Sequence, residues 1–98
     1  MELAELADAM HRFVESKGWY DPNSPKPQST RNLAISLSVE AAEVLELIQW
    51  SDEPTDADEL ASELADVMLY LLQLASLSGI DLEQAVLDKL QTNYDRDW

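Results

Sequence analysis

Residues 39–50 read VEAAEVLELIQW and residues 58–79 read DELASELADVMLYLLQLASLSG. Both carry apolar residues at helical spacing, and neither alternates with period two long enough for a strand. The first raises a question, because Glu40, Glu43 and Glu46 recur at every third position of a run that otherwise resembles the interior of a helical protein. A helical residue advances about 100°, so the apolar residues fix the buried direction. Leu33, Leu37, Val44, Leu47 and Ile48 define that arc, and Glu40 falls within it, one turn from Leu37 and from Val44. Glu43 lies on the arc's edge and Glu46 further round towards the outside. In the next helix Leu60, Leu64, Val67, Leu71 and Leu74 form the arc; Glu63 sits on its border, Tyr70 beside it, and Asp66 one step further out on the same side. Two helices therefore each bring a pair of carboxylates towards an interface.

The rest of the chain is consistent with an all-α, four-helix arrangement. Residues 2–17 place Leu3, Leu6, Ala7, Met10, Phe13 and Val14 on one helical face, and Gly18 is a stop signal. From Gly18 to Ser29, Pro22, Pro25 and Pro27 with Asn23 and Ser24 predict a loop, one long enough to suggest binding, with Trp19 and Tyr20 at its start. Ser29 or Thr30 caps a second helix running to about Trp50, and Thr55 or Asp56 starts a third that continues to Gly79. Asp81 followed by Gln84 resembles a capping box for a fourth helix to about Tyr94. At 98 residues the expectation is one domain over 1–98.

Composition narrows the chemistry. No cysteine is present, which excludes disulfides, thiolate catalysis and zinc-thiolate sites. Twenty acidic residues against six basic ones leave a net charge of -14, a surface that repels nucleic-acid polymers. The sequence has no secretory pattern and no uninterrupted apolar run near the roughly 18 residues of a membrane span, so a cytoplasmic protein is expected. A carboxylate buried without a partner costs several kcal/mol or gives up its charge, so Glu40 requires a counter-charge. Hard divalent cations such as Mg²⁺ or Mn²⁺, which prefer oxygen ligands, fit that requirement. On periodicity alone a solvated acidic rim is the competing reading. A ferritin-like di-iron site is disfavoured, because it needs Glu-x-x-His pairs and the single histidine, His11, stands beside the polar face of the first helix.

With those residues in view, SVEAAEVLELIQW followed by ELASELADVMLYLLQLA resembles the MazG-type all-α nucleoside triphosphate pyrophosphohydrolases, and within them the short dCTP pyrophosphatase-like branch. The resemblance rests on Glu40-Ala41-Ala42-Glu43 and Glu63-Leu64-Ala65-Asp66, supported by Arg31-Asn32-Leu33, Gln49-Trp50, Tyr70, Lys89 and Asn93. It implies a bundle-like fold assembled as a homodimer or homotetramer. The implied reaction is Mg²⁺-dependent hydrolysis of a (deoxy)nucleoside triphosphate to monophosphate and pyrophosphate, with Mn²⁺ as a substitute ion. Glu40, Glu43, Glu63 and Asp66 would be metal ligands, and Glu40 and Glu43 would also be catalytic. Trp19, Arg31, Trp50, Tyr70, Lys89 and Asn93 would bind substrate, although Trp50 can equally be a packing residue and Lys89 a water-facing one. Gln28 and Thr30 stand where similar dCTP pyrophosphatases carry a His and a Pro, which bears on base preference. The alternatives are a non-catalytic acidic interaction module and a related phosphoribosyl-ATP pyrophosphohydrolase.

Overall fold

The computed structural model describes residues 2–54 and 56–97. Four helices follow one another: α1 (Leu3–Ser16), α2 (Thr30–Ile48), α3 (Ala57–Leu77) and α4 (Leu82–Tyr94). No strand occurs among the described residues. The caps explain the boundaries. Ser29 Oγ accepts from the Asn32 amide at 3.2 Å, and Asp56 Oδ1 accepts from the Asp58 amide at 2.8 Å. Each satisfies a first-turn N–H that has no partner inside its helix. Thr55, the other expected start for α3, lies outside the described residues. Asp81 caps α4 by accepting from the Gln84 amide at 3.1 Å, but the Gln84 side chain donates forward to Asp88 instead of closing a capping box.

Both glycines act as helix stops through backbone geometry. Gly18 and Gly79 have φ of 71° and 68°. The following amides reach back across the last turn, Trp19 to the Val14 carbonyl at 3.3 Å and Ile80 to the Ala75 carbonyl at 2.9 Å. This is the glycine-terminated ending that satisfies otherwise orphaned carbonyls.

The loop between α1 and α2 is held against the bundle. Trp19 and Tyr20 pack on the cluster of Met10, Val14 and Leu72, together with Leu3, Ala7, Met68 and Leu82. Short turns stiffen the rest: the Asn23 amide donates to Asp21 Oδ1 at 2.8 Å and the Lys26 amide to Ser24 Oγ at 3.0 Å. At its far end Asn32 Nδ2 donates to the Pro27 carbonyl at 3.0 Å, tying the loop to α2.

Helix α3 is the element that every other helix touches. By length and composition it is apolar enough to cross a membrane. In this fold it is the central helix, and it turns Glu63 and Asp66 towards α2 and Gln73 into the interior. Its buried direction differs from the one drawn on an ideal wheel. Leu72, Gln73 and Ala75 are buried, whereas Leu64 and Leu71 are exposed. The reason is that α3 packs on α1 as well as α2, so its interior face is the bisector of two contacts and leaves the Leu64–Leu71 stripe uncovered within one chain.

The interior is small. Met10, Val14, Leu33, Leu72 and Ala75 are the buried apolar side chains among the described residues. A radius of gyration of 15.7 Å exceeds the roughly 13 Å of a compact chain of this length. Gly79→Ala meets open space around the added Cβ, so its cost is the left-handed backbone alone. We expect a loss of about 1 kcal/mol, seen by calorimetry as a fall in Tm of about 4–8 °C.

Candidate active site

Helices α2 and α3 carry the acidic residues that face one another. One carboxylate oxygen from each of Glu40, Glu43 and Glu63 lies within 4.8 Å of the others, and all three residues are half-buried. Asp66, also half-buried, lies one turn beyond Glu63 and close enough for its charge to act on Glu40. Glu46 is exposed. The inward orientation of Glu40 and Glu43 therefore holds, and a purely solvated rim does not describe them.

The electrostatic consequence is large. Burial, reinforced by Glu43 and then Asp66, pushes the Glu40 carboxyl above its ordinary range. Glu63 is pushed up to about 7, chiefly by its side-chain hydrogen bond with Glu43, with burial and the Glu43 and Glu40 charges adding to it. Glu40 Oε2 and Glu63 Oε2 are both buried and make no hydrogen bond. Buried carboxylate oxygens without donors, gathered within ligand distance of a common point, are the donor set that a hard divalent cation requires. Glu40, Glu43 and Glu63 fit such an ion, with Asp66 beside them.

Asp66 also lines a cavity of about 750 Å³ between α1, α2, α3 and the 17–29 loop. Its walls include Phe13, Trp19, Leu33, Leu69 and Tyr70, and its polar groups include Lys26, Gln28, Asn32, Ser36 and Gln73. The Trp19 ring meets Phe13 edge to face at 5.7 Å between centroids, and Lys26 Nζ stands 5.2 Å over the Trp19 ring. An apolar slot with aromatic walls and acids at one end suits a flat, partly apolar ligand with a metal-bound anionic tail.

Of the residues expected to bind substrate, Trp19 and Tyr70 line this cavity. Arg31, Trp50 and Lys89 are exposed and do not line it, Trp50 being 90% exposed. Asn93 is half-buried, and its Oδ1 is buried without a hydrogen bond, but it too lies away from the cavity walls. One chain thus assembles the acids and the slot, with Arg31, Trp50, Lys89 and Asn93 outside its walls.

The ideal wheel overlooked a polar network behind the slot. His11, half-buried beside the polar face of α1, is engaged at both ring nitrogens: Nδ1 lies 2.6 Å from Tyr20 Oη, and Nε2 lies 2.7 Å from Ser76 Oγ. Gln73, buried near the C-terminal end of α3, donates from Nε2 to Tyr20 Oη at 3.3 Å and to Gln28 Oε1 at 2.7 Å. Burial pushes the Tyr20 hydroxyl above its ordinary value, so it keeps its proton. The available signal was Gln73 itself, a polar residue seven positions after Asp66 on the same face.

This combination is an acidic cluster beside an aromatic-walled slot in an all-α fold, and comparison with known proteins places the chain in a family. Residues 28–96 match the MazG nucleotide pyrophosphohydrolase domain, and the chain belongs to that family. It is 34% identical over 103 residues to mouse dCTP pyrophosphatase 1, covering 96% of this chain and 58% of the mouse protein. Human dCTP pyrophosphatase 1 is 33% identical over 100 residues, covering 93% of this chain and 56% of that protein. The chain therefore spans little more than half the length of these relatives. A crystal structure of a pyrophosphatase from Archaeoglobus fulgidus superposes with a TM-score of 0.75 at 34% identity, covering 93% of this chain and 87% of the other.

A pH test follows from the acids. The folded state holds the Glu63 proton more tightly than an unfolded chain, where the carboxyl titrates near 4.5. That contribution to stability is complete below pH 4.5 and is lost as pH rises through about 7. In chelator, Tm should fall between pH 5.5 and pH 8. Glu63→Gln should flatten this portion of the profile and raise Tm at pH 8, whereas equal slopes in both proteins would assign the effect to general acidic repulsion.

Proposed function

We propose that this chain catalyses Mg²⁺-dependent hydrolysis of (deoxy)nucleoside triphosphates at the α–β phosphoanhydride bond, releasing a monophosphate and pyrophosphate. The observation that carries the reading is the convergence of the Glu40, Glu43 and Glu63 oxygens within 4.8 Å, with Asp66 linking them to the aromatic-walled cavity. Family membership supports nucleotide triphosphate hydrolysis. The names of the mouse and human relatives support a preference for dCTP, and a modified pyrimidine is the other candidate substrate.

In this reading the base enters the slot between Trp19 and Tyr70, and the triphosphate lies towards Asp66. A bound divalent cation supplies charge neutralisation for the phosphates and a more acidic water. Glu40, Glu43 and Glu63, with Asp66 beside them, would hold it. Glu40 and Glu43 also orient the attacking water and take up its proton, and the raised proton affinity of Glu40 suits that role. The water oxygen forms the new bond to the α-phosphorus, the bond from that phosphorus to the bridging oxygen breaks, and pyrophosphate departs. Tyr70 holds the base so that the α-phosphate faces the acids. A cytoplasmic role in clearing surplus or damaged nucleotides fits this activity.

The active form is a homodimer or homotetramer. Ile35, Val39, Trp50 and Leu64 are exposed, as are Val86, Leu87 and Leu90 of α4, and a small interior leaves that apolar surface uncovered. A second copy burying about 800 Å² per partner would cover much of it. Arg31, Trp50, Lys89 and Asn93 then contribute at or near a neighbour's site, where they approach phosphate or base.

Chromatography of products from a panel of nucleoside triphosphates tests the reaction. Monophosphate plus pyrophosphate should form with Mg²⁺ and cease with chelator, and Glu40→Gln should lower kcat/KM on the order of a hundredfold or more. Monophosphate formed with two molecules of orthophosphate would assign a different reaction. Light scattering should give at least twice the chain mass; a fully active monomer would refute the assembly.

A further inference from the structure

We propose that Gln73 reads the base: its side-chain oxygen is locked by a directional hydrogen-bond chain as an acceptor facing the cavity, and so selects nucleotides whose base carries an exocyclic amino group, cytosine over uracil or thymine. The inference rests on the reading that the cavity takes the nucleobase. It adds the groups that discriminate between bases.

An isolated glutamine amide reads nothing, because rotation by half a turn exchanges its donor and acceptor. Here the rotation is blocked from a fixed starting point. The Lys26 backbone carbonyl can only accept, and the Gln28 side chain lies against it with Nε2 at 2.7 Å. The reverse orientation would bring two oxygens together at that distance. Gln28 must therefore turn Oε1 away from Lys26, and that oxygen accepts from Gln73 Nε2 at 2.7 Å. The second Gln73 Nε2 hydrogen goes to Tyr20 Oη at 3.3 Å. Tyr20 then has one acceptor for its own proton among the described residues, His11 Nδ1 at 2.6 Å, and the other ring nitrogen is anchored to Ser76 Oγ at 2.7 Å. Every link has one direction, set at the Lys26 carbonyl.

What remains is the Gln73 oxygen. Both amide hydrogens are committed, no hydrogen bond to Oε1 is made among the described residues, and it is not among the buried polar atoms left without a partner, so it keeps some accessible surface. Gln73 is only 3% exposed, and the space it lines is the aromatic-walled cavity. Along α3, Asp66, Tyr70 and Gln73 follow at helical spacing on one face, and the rise from the first to the last is about 10 Å. That span suits a nucleoside with its phosphates at Asp66, its ring against Tyr70 and its far edge at Gln73. An acceptor there receives the amino N–H of cytosine and meets the carbonyl oxygen of uracil or thymine with lone-pair repulsion. A desolvated site built for one hydrogen-bond polarity rejects the opposite one far more strongly than an apolar pocket does.

The test compares wild type, Gln73→Leu and Gln28→Leu, each checked for helical content by circular dichroism. Equilibrium binding of dCMP and dUMP in Mg²⁺ is followed by tryptophan fluorescence and calorimetry, and hydrolysis of dCTP and dUTP is measured alongside. Wild type should bind dCMP roughly ten- to a hundredfold more tightly than dUMP. Gln73→Leu should weaken dCMP and leave dUMP nearly unchanged. Gln28→Leu, which leaves Gln73 in place but free to rotate, should bring the two ligands close to parity by improving dUMP as well as weakening dCMP; a merely structural role would weaken both together. If Gln73→Leu fails to fold, Gln28→Leu decides. Parity in wild type, no binding of either ligand, or an unchanged ratio in Gln28→Leu overturns the inference. Base-selective binding without hydrolysis of any triphosphate overturns the proposed reaction and supports the role of Gln73, whereas hydrolysis without base selectivity supports the reaction and overturns that role.

Discussion

Mutual repulsion among Glu40, Glu43, Glu63 and Asp66 is the constraint around which the molecule is organised. Packing α2 against α3 brings these groups together at a half-buried seam, where water screens them poorly and two carboxylate oxygens find no donor. The chain accommodates this by raising proton affinity at Glu40 and Glu63. An arrangement of this kind opposes folding at neutral pH unless a cation joins it, so the seam links stability to the ion that the proposed reaction uses. It also explains why central α3, otherwise apolar enough to pass for a membrane span, carries carboxylates at its contact with α2.

The same helix links the acids to the cavity. Asp66 and Tyr70 face the slot within a turn of each other, and Gln73 closes it from behind. The 17–29 loop is positioned from two sides, by Trp19 and Tyr20 packing on the core and by the Gln28 and Asn32 hydrogen bonds. A loop rich in proline and short turns loses little entropy on being held this way. It therefore serves as a rigid wall for a ligand site at modest cost.

A lean interior accompanies this polar seam. Part of the α2–α3 contact is given to carboxylates, and few apolar side chains are fully enclosed within one chain. The exposed apolar stripes on α2, α3 and α4 are the counterpart of that choice, and the proposed assembly would complete both the core and the site. Arg31, Trp50, Lys89 and Asn93 stand outside the cavity in one chain, consistent with positions completed by a neighbour.

Much was legible in the sequence because it depends on local rules. Helix number and the cap at Asp81 follow from short-range hydrogen bonding, which also narrows the other two caps to Ser29 or Thr30 and Thr55 or Asp56, and the stops at Gly18 and Gly79 follow from backbone freedom. The inward turn of Glu40 and Glu43 follows from the apolar arc of a single helix. Tertiary structure alone decided the rest. Helical periodicity turns Leu64 and Leu71 inward, yet they lie exposed, because the buried face of α3 depends on where α1 and α2 both sit. His11 and Gln73 are separated by most of the chain, and their shared contact with Tyr20 arises only when the loop folds back. Periodicity reports the face of one helix; the polarity of a hydrogen-bond network spanning two helices and a loop is a property of their packing, and no single stretch of sequence contains it.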